Sequence, residues 1–245
     1  MQKYFAIINR KTGHIILVCI LTTYFCIRFD FSFDLNITLL SIAVIFPLVF
    51  TIRQSFRRRD EVIKQLSIFR SSITAVYHSF ASIEKLGQDK KDYVAQRLQE
   101  ISQQFLNALT GGQREAEAMP EKIADIFQLI QENRQFISTG LALKIIRFLK
   151  DVEQSMENTV GIRTHGLPIS LRAYCLVFIY LFPLVFIPTL VFHMRPGDSG
   201  IVYALSIVHG FVLMSLYNLQ DDLENPFDQI GLDDIKLNEF LFMKE

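Results

Sequence analysis

The stretch AYCLVFIYLFPLVFIPTLVF, residues 173–192, contains twenty residues and no charged side chain. A helix of this length, rising about 1.5 Å per residue, crosses the roughly 30 Å hydrocarbon core of a bilayer. A second stretch of the same kind, IVYALSIVHGFVLMSLYNL, occupies residues 201–219 after a short loop. The two stretches together predict a hairpin of membrane-spanning helices.

Two shorter apolar runs lie near the start of the chain: IILVCILTTYFCI at residues 15–27 and ITLLSIAVIFPLVFTI at residues 37–52. The first run alone is compatible with a membrane span or with the core of a signal peptide. No small-residue cleavage site follows it and a second apolar run does, which favours a retained hairpin. The sequence thus predicts four spans, at about 15–29, 37–52, 171–193 and 201–219.

The basic residues outside the spans are concentrated on one side of this arrangement. The two short loops, residues 28–36 and 193–200, carry one Arg each, whereas Lys and Arg are frequent before the first span, after the second and before the third. Because Lys and Arg are enriched in cytoplasmic loops, we expect an integral membrane protein with both termini and the middle region in the cytoplasm.

The middle region is polar overall, but apolar residues recur in it at spacings of three and four, which is typical of amphipathic helices. No part of it alternates with period two over a useful length. The predicted fold class is therefore all-α: a four-span bundle with a cytoplasmic helical region. The predicted divisions are a first hairpin at 1–53, the cytoplasmic region at 54–168, a second hairpin at 169–220 and an acidic tail at 221–245. The three apolar stripes begin Val62, Leu66, Phe69; Val94, Leu98, Ile101; and Ile123, Ile126, Ile130.

Several function classes lack sequence support. The chain has no GxxxxGK[ST], GxGxxG, GxSxG or HExxH motif, so neither nucleotide binding nor these hydrolytic chemistries are indicated. The three cysteines are scattered through apolar runs, which argues against a disulfide framework or a metal site. The chain has 25 basic residues (Lys and Arg) and 25 acidic residues (Asp and Glu), so its net charge gives no reason to expect that it binds nucleic acid. We expect no enzyme, no required cofactor and no nucleic-acid partner.

One ionisable residue, His209, lies within a predicted span. Ionisable groups inside a membrane are functional candidates. The alternative is a neutral imidazole that forms a hydrogen bond across helices, and we favour this alternative.

The sequence after the last span contains ENPFD, residues 224–228, with further acidic residues downstream. This tail resembles the end of the bestrophin family of ion channels. The exit of the second span, VFTIRQSFRRRDE, is similar to the family pattern, with Phe50, Phe56, Arg58 and Glu61 at its aromatic, aromatic, basic and acidic positions. RTHGLPI, before the third span, resembles the family's Thr-Pro-Ile-Pro approach. These matches cover most of the chain in order.

The chain also departs from the family pattern. Val49 replaces the Gly that usually precedes the neck Phe, and Arg59 with Asp60 replaces a common Trp pair. Pro47 lies within the second span and favours a broken helix there. The resemblance therefore implies a divergent, bacterial-type member in the bacterial inner (plasma) membrane.

The resemblance implies a homopentamer that conducts inorganic ions passively through a central pore lined by the second span. Its neck consists of three apolar rings, which correspond here to Ile42, Phe46 and Phe50. Positions four residues apart drift by about 40° per step, so the three share one helix face. We further hypothesise that Arg53 adds a positive ring at the cytoplasmic mouth. A chloride-type anion channel is favoured, but family members conduct anions or cations, and selectivity stays open.

The acidic tail has three interpretations. Docking against the cytoplasmic helices or a neighbouring subunit is favoured, a solvated terminus comes second, and a calcium site as in animal bestrophins comes third, because the acids do not form an unbroken cluster. The residues concerned are Asp221, Asp222, Glu224, Asn225, Pro226, Asp228, Asp233 and Asp234.

Two other functions compete with the channel. A membrane-anchored helical adaptor or sensor would need no pore, and only Ser41, Ala43 and Thr51 offer small or polar groups along the second span. A secondary transporter would require inverted repeats and buried charges near the membrane midplane. The spans contain almost none of these charges, so the adaptor is the stronger alternative.

Overall fold

A computed structural model describes residues 8–111, 119–194, 197–228 and 234–243, and within these ranges the chain is helical without any strand. The predicted all-α fold class is confirmed. The helices of the described ranges are α1 (Arg10–Arg28), α2 (Ile37–Ala81), α3 (Gln88–Thr110), α4 (Met119–Glu132), α5 (Thr139–Thr164), α6 (Ile169–His193) and α7 (Ser199–Glu224), followed by a 3₁₀ turn at Leu237–Phe240.

Four of these helices, α1, α2, α6 and α7, are long and apolar enough to cross a membrane. Contacts divide the described residues into two compact units. The membrane unit comprises residues 8–58 and 166–225, and the polar unit comprises residues 59–165, 226–228 and 234–243. Helix α2 contributes to both units, because it continues for 45 residues without interruption.

In the membrane unit, α1, α6 and α7 approach one another most closely. The approach of α7 to α1 depends on Gly210, where an added Cβ would lie 2.6 Å from the Cys19 sulfur. Small residues permit such approaches between membrane helices, where van der Waals packing drives association. Helix α2 joins this core through larger side chains, including the buried Val44 and Leu48.

The continuity of α2 through Pro47 corrects the expectation of a broken helix. Proline lacks an N–H, so the carbonyl of Ala43, four residues earlier, loses its helical partner. The Tyr174 hydroxyl of α6 donates to this carbonyl across 3.4 Å. A neighbouring helix thus supplies a long replacement hydrogen bond, which is the usual way that membrane helices tolerate proline.

In the polar unit, the second part of α2 and helices α3, α4 and α5 enclose one apolar core. The three stripes read from the sequence supply most of this core, and the rings of Phe69 and Phe105 pack with centroids 4.6 Å apart. Charged groups tie α3 to α4 at the surface. Lys122 donates to Glu100 across 2.8 Å and this hydrogen bond lowers the pKa of the Glu100 carboxyl.

The C-terminal segment, residues 234–243, packs within the polar unit. Ile235, Leu237 and Phe242 are buried in its core together with Phe227. The Phe242 N–H donates to the Ser102 hydroxyl across 2.9 Å, and the Ile235 N–H donates to the carbonyl of Pro226 across 3.0 Å. The acid-rich end of the chain therefore contains a set of apolar anchors.

Candidate pore face

Helix α2 presents an uncovered apolar face in the membrane unit. Ile42, Phe46 and Phe50 are 55%, 61% and 48% exposed, whereas Val44 and Leu48 on the opposite side are 2% and 1% exposed. In the most apolar 18-residue segment of α2, only 17% of the residues are buried, compared with 28% in the corresponding segments of α1 and α7. The three residues expected to form a neck therefore lie together on one unpacked face, which we call the exposed face of α2.

Neighbouring residues extend this face in both directions. The rings of Phe46 and Phe50 meet edge to face, with centroids 4.7 Å apart, so they form a continuous aromatic strip. Leu39, one turn before Ile42, is 75% exposed. Arg53, one turn after Phe50, is also exposed. The face is thus apolar over several turns and ends in a positive charge.

The opposite side of α2 is held by a buried polar contact with α7. The Thr51 hydroxyl lies 2.8 Å from the Leu48 carbonyl and 2.9 Å from the Gln220 side-chain amide, and both residues are fully buried. A hydroxyl carries one proton, which Thr51 donates to the carbonyl. The amide must then turn its nitrogen toward Thr51 and donate to it, since amide orientations are assigned from such networks. This contact fixes the rotation of α2 one residue beyond Phe50.

The end of α7 differs from the expected tail. Because α7 continues to Glu224, the carboxylates of Asp221, Asp222 and Glu224 lie on its last turn, and Asn225 caps it. The last turn of a helix is an unfavourable place for negative charge. The basic groups that surround these acids offset this cost.

Two of the acids, the buried Glu224 and the partly exposed Asp221, form a junction with α1 and α6, which we call the charge junction. Glu224 is 5% exposed, and its Oε1 accepts the Leu167 N–H across 3.0 Å while its Oε2 pairs with Arg172. Asp221 lies 2.9 Å from the Lys11 ammonium and 3.6 Å from the Arg172 guanidinium. The junction ties the end of α7 to the starts of α1 and α6.

The described residues contain no group of three or more His, Cys, Asp or Glu side chains able to hold a metal ion. Asp221 and Glu224 face basic partners instead of one another. Pro226, at the helix end, uses its carbonyl to accept the Ile235 N–H. Asp228 and Asp234 each take part in at least one polar or electrostatic interaction. Asp233 lies outside the described residues.

Within the described residues, no hydrogen bond joins His209 to another helix. Its Nδ1 lies 3.0 Å from the Leu205 carbonyl of its own helix, and its ring packs on Phe186 with centroids 4.5 Å apart. The expected cross-helix hydrogen bond is therefore replaced by an aromatic contact with α6.

Sequence reasoning did not identify Lys11, Arg172 or Gln220 as members of a common site. Lys11 and Arg172 read as flanking basic residues, and Gln220 as the polar end of an apolar run. Their partners lie on other helices far away in the chain, so no local spacing signals the contacts. The one signal in the sequence was the position of Gln220, a polar residue directly after the apolar run at residues 201–219.

Comparison with known proteins places the fold. No protein-family model matches the chain, and no curated protein matches it. A solved structure of a bacterial bestrophin homolog from Klebsiella pneumoniae, carrying one substitution, matches with a TM-score of 0.82 at 16% identity, covering 94% of this chain and 93% of that chain. A second structure of such a homolog, obtained by Zn-SAD phasing, gives 0.77 at 16% identity with the same coverage. A third, also with one substitution, gives 0.75 at 15% identity, covering 94% and 95%. The fold of this chain is therefore that of the bacterial bestrophin homologs.

Proposed function

We propose that the protein is a bestrophin-like ion channel, which conducts inorganic anions of the chloride type passively through a homopentameric pore lined by α2. The observation that carries the proposal is the exposed face of α2, an apolar strip in a fold shared with bacterial bestrophin homologs. Five copies of the face around one axis would bury it.

In such an assembly, Ile42, Phe46 and Phe50 form three stacked apolar rings. A constriction of this kind gates by losing its water, because apolar walls do not stabilise a hydrated ion. The aromatic rings have positive edges, which favour a passing anion over a cation. Arg53 supplies a positive ring one turn beyond, at the cytoplasmic mouth.

The proposal also specifies the membrane orientation of the channel, its cofactor requirement and the role of its tail. The Lys and Arg distribution supports an orientation with both termini and the polar unit in the cytoplasm of a bacterial cell and the four apolar helices in the inner membrane. We expect no cofactor requirement, since Lys11 and Arg172 neutralise the acids of the charge junction in place of calcium. Docking of residues 234–243 on the cytoplasmic helices remains our interpretation of the tail.

The test is ion flux from the purified protein in planar bilayers under a KCl gradient. We expect a current that reverses near the chloride equilibrium potential. Phe46→Ala and Phe50→Ala should raise the conductance by widening the neck, whereas Phe192→Ala, at an aromatic residue 53% exposed on α6, should leave it unchanged. A reversal near the potassium potential would keep the channel and overturn the anion assignment. Silence from folded oligomers of the wild type and both neck variants would reject the channel.

One observation favours a second function, a membrane-anchored adaptor or sensor without a pore. Of the small or polar residues on the membrane part of α2, Ser41 and Ala43 are only partly exposed and Thr51 is buried. None of the three lies on the exposed face, so that face carries no polar side chain at the proposed neck, between Ile42 and Phe50. The adaptor predicts a monomer or dimer, which native mass spectrometry distinguishes from a pentamer.

A further inference from the structure

The polar unit contains a cavity of about 540 Å³ between α2 and the C-terminal segment. Binding sites for small molecules usually measure about 300–1,000 Å³, so the volume is that of a ligand site. The exposed face of α2 and the charge junction do not contribute to it. The cavity is therefore a feature that ion conduction does not use.

One wall of the cavity is a polar stripe on α2. Arg70, Thr74 and His78 follow at spacings of four, so they share a helix face over roughly 12 Å. The Thr74 hydroxyl donates to the Arg70 carbonyl. No acidic side chain within the described part of the chain forms an ion pair with the Arg70 guanidinium, which leaves its planar set of donors available to a ligand.

The opposite wall is held in place by the core of the polar unit. Phe242 lines the cavity but is only 4% exposed, and its N–H is fixed by the Ser102 hydroxyl. On the α2 side of the cavity, the Tyr77 ring lies 5.6 Å from the Phe242 ring, centroid to centroid. Leu241 and Met243 add further apolar surface. The cavity is thus preformed, with apolar groups of the C-terminal segment opposite the polar stripe of α2.

The charges of the lining favour an anion. Glu239 is its acidic member, and its carboxylate lies 3.7 Å from the Lys236 ammonium, which partly offsets the negative charge. Arg70 carries a positive charge that no ion pair within the described residues neutralises, and the His78 imidazole and the Asn238 amide add hydrogen-bond donors. A guanidinium binds a carboxylate through two parallel hydrogen bonds. The apolar wall requires a ligand with a carbon skeleton, which an inorganic anion lacks.

We propose that this cavity binds a small organic carboxylate, with the carboxylate on Arg70 and the carbon skeleton against Tyr77 and Phe242. This inference is independent of ion conduction, because it concerns equilibrium binding to the polar unit. A negative result would leave the proposed channel standing, and a silent channel would leave the binding site standing.

The test is isothermal titration calorimetry on the full-length protein in detergent, with succinate, benzoate and inorganic phosphate as probes at millimolar concentrations. We expect at least one carboxylate to bind more tightly than phosphate. Arg70→Gln should weaken that binding by about tenfold or more, since hydrogen bonds to charged groups are the strong ones. Arg70→Lys keeps the charge but loses the paired donors, so it should give an intermediate affinity.

Arg134→Gln is the matched control, because Arg134 is an exposed arginine of the same unit outside the cavity. It should bind like the wild type. The absence of carboxylate binding to the wild type would overturn the proposal. So would equal binding of phosphate, or carboxylate binding that Arg70→Gln retains. Arg70 is exposed, so the variant should fold, and an unchanged unfolding temperature verifies this.

Discussion

The absence of a side chain at Gly210 sets how closely α7 approaches α1. A Cβ at this position would lie 2.6 Å from the Cys19 sulfur and 3.5 Å from a side-chain carbon of Ile15. Cys19 is fully buried. A methyl group at residue 210 therefore forces either the Cys19 side chain or the two helices to shift.

We predict that Gly210→Ala lowers the free energy of unfolding of the membrane unit by about 1–3 kcal/mol, the usual cost of overpacking a core. Thermal unfolding in detergent measures the loss. Gly200→Ala is the control, because a Cβ there meets nothing within 4 Å. Adding Cys19→Ala to Gly210→Ala should restore much of the stability. A single variant as stable as the wild type would show that the helices pack less tightly than described.

Single residues also show how far the sequence could predict the site. Ile42, Phe46 and Phe50 were accessible to prediction, because their spacing puts them on one face whatever the rest of the fold. Their role as a neck stays a prediction. Gln220 was not accessible, since its partner Thr51 lies 169 residues away in the chain. Burial of that pair depends on tertiary packing, which periodicity does not encode.

At the scale of elements, α2 shows where local rules are overridden. Pro47 indicated a break, because proline removes a helical hydrogen bond. The helix continues because Tyr174 of α6 reaches the Ala43 carbonyl that Pro47 leaves without a partner. That contact lies between residues 131 positions apart, so no local pattern could reveal it.

Ion selectivity can be tested at Arg53, near the point where α2 leaves the membrane unit. Arg53→Glu would reverse five positive charges around the proposed pore mouth. We expect a several-fold fall in the permeability ratio of chloride to potassium, because like charges repel the permeant anion. Reversal potentials under a KCl gradient measure the ratio.

Arg134→Glu provides the control for Arg53→Glu, since it makes the same charge change at an exposed site of the polar unit. Its reversal potential should match that of the wild type. An unchanged reversal potential in Arg53→Glu would remove the positive ring from the proposed mechanism while leaving the neck intact.

For the whole molecule, the acidic tail read from the sequence is not one structural segment. The sequence pattern separated residues 221–245 as one acidic tail, but residues 221–224 complete α7 and residues 234–243 enter the core of the polar unit. The apolar anchors Phe227, Ile235, Leu237 and Phe242 have no regular period. Acidic neighbours dominate the composition around them, so periodicity predicts no element there. The helical stripes of the polar unit were predictable because they repeat over many turns.

We predict that Phe242→Ala lowers the free energy of unfolding of the polar unit by about 3 kcal/mol, because it removes a buried aromatic side chain. Met243→Ala is the control, since Met243 is 64% exposed. Hydrogen exchange should show faster exchange throughout residues 234–243 and in the parts of α2 and α3 around their contacts at Tyr77 and Ser102. Equal stability of the two variants would mean that the C-terminal segment contributes little to the core.

The exposed face of α2 also has a spectroscopic consequence. The chain contains no Trp, so Phe50→Trp would introduce a unique indole emitter on this face. Lipids with brominated acyl chains quench an indole that they touch. In a pentamer with α2 on the axis, the indole at residue 50 is shielded from lipid, whereas one introduced by Phe192→Trp on α6 is quenched. In a monomer both are quenched, so the fluorescence ratio reports what covers this face without recording any current.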